Sequence, residues 1–137
     1  SSDETMNIES HLRNLKESLE IIEDSIEKGL KERQRNIGFN VSAVAVEMLE
    51  VFLHEKNLIN PGTMIKHDWF NSLRIANEKL KFDFPHKKEI IDLICKIELK
   101  RNILCYGKKQ PISEIESVLN SFNKLKEIFE RAGLKWN

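Results

Sequence analysis

The sequence predicts an all-α fold, an up-and-down antiparallel bundle of four long helices plus one short helix. Three observations carry this. Apolar residues recur at spacings of three and four over long stretches, the period of a single helix face. Pro61-Gly62, Pro85, Gly107 and Pro111 punctuate the chain between those stretches. No segment alternates apolar and polar residues as a strand would, and no internal repeat or low-complexity tract is present. At 137 residues the chain reads as one domain, residues 1–137, large enough to bury a core.

Each element has its own signal. Ile8, Leu12, Leu15, Leu19, Ile22, Ile26 and Leu30 form one narrow seam, which predicts a helix over 7–33. Glu17, Glu20, Glu23, Asp24 and Glu27 lie mostly outside that seam, as a solvated face. Residues 34–38, QRNIG, interrupt the pattern. A second helix is expected from Asn40, apolar on most sides, with Ser42, Ala43 and Ala45 small enough for close helix approach. Asn60-Pro61-Gly62 stops it, because proline ends helices and glycine supplies turn conformations.

A shorter helix is expected over 63–80, with Trp69, Phe70, Leu73 and Ala76 as its buried side. The break at Phe82-Asp83-Phe84-Pro85 follows, and Pro85 suits the first turn of the next helix. That helix, over 89–109, carries Ile90, Leu93, Ile94, Ile97, Leu104 and Cys105 on one stripe. A second row holds Ile91, Cys95, Leu99, Asn102 and Tyr106. Asp92, Lys96 and Lys100 occupy the strip left to face water. Pro111 opens a final helix, whose Ile112, Ile115, Leu119, Phe122, Leu125 and Phe129 keep a helical stripe up to Gly133.

Composition narrows the function. The 22 basic and 22 acidic residues cancel, which argues against coating nucleic acid by bulk charge but leaves room for a local basic site. No apolar run is read as approaching the roughly 20 residues needed to span a bilayer, and no signal region opens the chain, so no membrane partner is expected. Cys95 and Cys105 lie ten residues apart on one helix, roughly 15 Å, too far to bond to each other. They read as buried small hydrophobes in a reducing, cytoplasmic setting. The four histidines, His11, His54, His67 and His86, fall in separate segments without an HExxH or CxxC pattern, so neither metal nor cofactor is expected. No phosphate loop or nucleophile elbow is present.

One residue breaks the pattern. Arg101 stands in the apolar stripe of the 89–109 helix, and a buried guanidinium needs a paired anion, a wet cavity or a ligand. Lys96, Lys100, Lys108 and Lys109 add local positive charge. Asn102 and Tyr106 are one turn apart. Arg101 and Tyr106 are five apart, about 140° around the helix. They meet only near the helix end or across a symmetric interface. The structural alternative pairs Arg101 with an acidic residue of the first or last helix.

The run Lys100-Arg101-Asn102-Ile103-Leu104-Cys105-Tyr106-Gly107, within a small all-helical chain, resembles the motif of HEPN domains. Members carry arginine, often a polar residue next, then four to six positions, then histidine, near the end of the penultimate long helix. Arg101 matches the arginine and Asn102 the polar residue, while Tyr106 stands where the histidine belongs. The resemblance implies a homodimer with RNA or a nucleotide in a shared cleft. Arg101 and Tyr106 would be catalytic there, with Asn102, Lys100, Lys108 and Lys109 binding substrate. It further implies either a metal-independent endoribonuclease toxin whose antitoxin is a nucleotidyltransferase, or a non-catalytic module docking such a partner. Tyrosine, with a pKa near 10, is a poor base at neutral pH, which leaves enzyme status open.

Overall fold

A computed structural model describes the backbone of residues 2–135 and the side chains of residues 8–135; residues 1, 136 and 137 lie outside the described residues. Five α-helices pack together: α1 (Ser2–Lys28), α2 (Gln34–Glu55), α3 (Leu73–Lys79), α4 (Lys87–Tyr106) and α5 (Ile112–Arg131). A 3₁₀ segment, His67–Asn71, precedes α3, and no strand occurs among the described residues.

Helix α2 is the centre, packing on α1, α4 and α5. Val41, Val44, Ala45, Met48, Leu49, Val51 and Leu53 are fully buried, as expected of a helix apolar on most sides. The sequence reading found no run apolar enough to cross a membrane. By length and composition α2 meets that description, but 78% of its apolar window is buried inside the fold. Leu15 and Ile22 of α1, Ile90, Ile94 and Ile97 of α4, and Val118, Phe122 and Phe129 of α5 close around it in one core.

The first helix boundary moves from the expected residue 33 to Lys28. Gly29 adopts φ +123°, and its N–H reaches the carbonyls of Ser25 and Ile26 at 3.2 and 3.3 Å, ending the helix. Helix α2 then starts at Gln34, six residues before the expected Asn40. Gly38, read from sequence as part of a break, is a buried helical residue. A Cβ placed there would stand 3.0 Å from Leu104 Cβ and 3.5 Å from Cys105 Sγ. The glycine serves close approach of α2 to the end of α4, not a turn.

The single helix expected over 63–80 is divided. Ser72 is extended (φ −154°, ψ 158°), and its hydroxyl accepts the Ile75 N–H at 3.1 Å, capping α3. Phe70 and Ala76 are buried and Trp69 is partly so, but Leu73 is exposed. In α4 the first stripe is buried at Ile90, Ile94, Ile97 and Leu104. The second row is buried only at Ile91, and Leu99 and Tyr106 are 61% and 67% exposed.

Gly38→Val is expected to destabilise the fold by about 1–3 kcal/mol, because the α2–α4 contact must open to admit the side chain. A chemical-denaturation curve with an unmoved midpoint would contradict the close-approach role.

Candidate functional site

The anion that answers Arg101 sits one turn back on the same helix. Glu98 and Arg101 are i, i+3 neighbours on α4, with Arg101 Nη1 3.5 Å from Glu98 Oε1. This differs from the expectation of an acid on the first or last helix. Glu98 is only 3% exposed, and its other oxygen is held from two elements. Ser42 of α2 donates its hydroxyl to Oε2 at 2.6 Å, and His67 Nδ1 lies 3.1 Å from the same atom. His67 Nδ1 is also 3.0 Å from Ser42 Oγ. Since that hydroxyl already donates to Glu98, the network assigns a proton to Nδ1, so that in the neutral ring the lone pair lies on Nε2.

Burial by itself would raise the Glu98 carboxyl. The hydrogen bonds from His67 and Ser42, with the charges of His67 and Arg101, outweigh it and hold the group below its ordinary range. Glu98 is therefore a carboxylate on which two potential anion binders converge. His67 is half-exposed and Arg101 largely covered.

Arg101 also lies between two aromatic rings. Its guanidinium carbon is 5.2 Å from the centroid of Phe39, on α2, and 5.8 Å from that of Tyr106. Both rings are exposed, at 51% and 67%. Arg101 and Tyr106 thus meet within one chain, near the helix end, without needing a symmetry mate. Asn102 is exposed on the same helix. Lys100 is drawn away to an ion pair with Glu114 of α5. Lys108 and Lys109 are exposed just beyond α4.

Sequence reasoning missed Glu98, His67, Ser42 and Phe39 as members of this cluster. The i, i+3 spacing of Glu98 and Arg101 was a usable signal. His67 had none, lying 31 residues from Glu98 in a segment whose path only the fold decides.

A second polar cluster joins α1 to α2. His11 Nδ1 contacts Glu47, and His11 Nε2 is 3.1 Å from Glu50 Oε2. Glu50 is nearly buried and its other oxygen accepts the Ile65 N–H at 2.7 Å. His54, buried one turn beyond Glu50, stacks on His11 with ring centroids 6.3 Å apart. Burial pushes the Glu47 carboxyl up, with hydrogen bonding and charge from His11 opposing it. His11, Glu47 and Glu50 are the described residues whose donor atoms group closely enough to hold a metal ion, all within 4.8 Å of one another. The sequence offered no such grouping because its members come from two helices.

Burial, and the negative charges of Asp92 and Glu98, push the Cys95 thiol up to about 11, an unreactive state near neutral pH. Cys105 is raised too, chiefly by burial.

Compared with protein-family models, curated proteins and solved structures, the chain matches none.

The lowered Glu98 carboxyl has a testable sign. Its folded value lies below the unfolded one, near 4.3, so its charge stabilises the fold fully above that pH and progressively less as pH falls through the folded value. Glu98→Gln keeps the acceptor oxygen and removes the charge. It is expected to cost about 1–3 kcal/mol at pH 7, with the gap to the parent narrowing below about pH 4. Urea unfolding at both pH values would expose a gap that stays constant, which would contradict the assignment.

Proposed function

We propose that this chain is a HEPN-like protein, an up-and-down antiparallel bundle that binds RNA or a nucleotide as a homodimer at a cleft around Arg101. The observation that carries the reading is the Arg101 guanidinium, anchored by a buried carboxylate and flanked by the exposed rings of Phe39 and Tyr106. Guanidinium has five N–H donors in a planar fork, and Glu98 approaches only one edge of it. The remaining donors suit a phosphate, while exposed aromatic faces suit stacked bases. Asn102, Lys108 and Lys109 lie at the same end of α4 as supplementary contacts to phosphate or sugar.

The same cluster has parts for cleaving RNA without a metal. In its neutral form His67 Nε2 can accept the proton of a ribose 2′-hydroxyl as its oxygen attacks phosphorus, while the departing 5′ oxygen takes a proton from water as its bond to phosphorus breaks. Arg101 would offset charge on the phosphate oxygens. In this reading imidazole, not the Tyr106 phenol, serves as base. A second reading, docking of a partner protein such as a nucleotidyltransferase, is favoured by exposed Leu99, Phe39 and Tyr106 at this end of the molecule.

The test pairs binding with cleavage. A short fluorescent single-stranded RNA is expected to bind the parent protein and to lose about tenfold or more in affinity with Arg101→Ala. Light scattering at micromolar concentration is expected to give twice the chain mass. RNA bound equally by both forms, or a monomer mass, would sink the reading. Incubation of mixed RNA with no added divalent cation, comparing parent, His67→Ala and Arg101→Ala, then separates cleavage from binding. Intact RNA throughout, with binding retained, would restrict the function to recognition.

A further inference from the structure

The contacts of His11 leave a gap in the hydrogen-bond accounting that either an ion or one more proton would fill. One ring nitrogen faces Glu47 and the other faces Glu50. A neutral imidazole has a single N–H, and ionised carboxylates only accept. With a neutral ring and both carboxylates ionised, one of the two contacts would set a nitrogen lone pair against oxygen lone pairs, so the cluster calls for one further positive charge, a bound cation or an added proton. The cluster is well sheltered, with side-chain exposures of 25% for His11, 22% for Glu47 and 7% for Glu50, so bulk water screens it poorly.

The donors are also prepared for a ligand. Glu47 and Glu50 sit three apart on rigid α2, and His11 arrives from α1, 36 residues before Glu47. The Ile65 N–H holds one Glu50 oxygen and thereby orients the other toward His11. An outer hydrogen bond of this type is what fixes a ligating carboxylate in metal sites. His54 stacks beside the His11 ring, with centroids 6.3 Å apart.

We propose that His11, Glu47 and Glu50 form a binding site for a divalent transition-metal ion, Zn²⁺ or one of similar preference, that ties α1 to α2. One imidazole nitrogen and two carboxylate oxygens match the donor types such ions accept, with remaining positions left to water from the partly open His11–Glu47 side. The role is structural. Helix α1 packs chiefly on α2, so an ion spanning the two would strengthen the contact that holds α1 to the rest of the fold.

The full chain is stripped with a chelator, equilibrated with Zn²⁺, desalted, and its metal measured by inductively coupled plasma mass spectrometry alongside thermal unfolding. One equivalent per chain and a raised Tm are expected. Glu47→Gln, on the more open side, is expected to weaken Zn²⁺ affinity at least about tenfold. His11→Ala is expected to abolish the equivalent. Controls at exposed His86 and at Cys105 (His86→Ala and Cys105→Ser) are expected to keep it. Circular dichroism confirms that each variant is helical, and Glu47→Gln decides the matter should His11→Ala fail to fold. No retained zinc in the parent, or undiminished binding by Glu47→Gln, would overturn the proposal and assign a proton to the His11 contacts instead.

Discussion

A helix buried on nearly every side cannot carry polar side chains without partners, and α2 carries several. Ser42, Glu50 and His54 are all buried on it. The polar groups that leave α2 reach several different elements. Ser42 donates to Glu98 on α4, Glu50 accepts from the backbone at Ile65, and both Glu47 and Glu50 meet His11 on α1. Orphaning any of them would cost more than a surface substitution, because the low-dielectric interior offers no water in exchange. The apolar residues of α2 supply the driving force for collapse. Its polar residues decide which neighbour docks where.

The candidate site grows from that constraint. Once Ser42 and His67 fix Glu98 as a carboxylate, Arg101 has an anion beside it and can occupy a half-buried position without large penalty. Close approach at Gly38 brings the start of α2 to the end of α4, where Phe39 and Tyr106 reach the guanidinium. Anion, cation, imidazole and two rings thus belong to one assembly drawn from three segments. The pairing with Glu98 sets an opposite charge beside Arg101 through one edge of the guanidinium.

Expectations from spacing changed in three dimensions for different reasons. The helix boundaries at 28 and 34 moved because Gly29, passed over in a helix expected to run to 33, is the stop, and Gly38, read as part of a break, is a close contact. Both roles favour glycine, and a sequence alone does not separate them. Leu99 and Tyr106 belong to the second apolar row of α4 yet stay exposed, because no other part of the chain among the described residues covers that side near the helix end. Periodicity marks a face as apolar but not what lies against it.

By itself, the sequence determined the helical class, the five α-helical regions and Arg101 as an anomaly in an apolar stripe. These are local properties: side-chain period, proline and glycine punctuation, and the cost of a buried charge. Only the tertiary structure decided what answers that charge and what gathers around it. His67 and Glu98 are 31 residues apart, His11 and Glu47 are 36 apart, and Ser42 and Glu98 are 56 apart. Contacts over such separations follow from how α2 is buried and which helices cover it. No spacing along the chain encodes them.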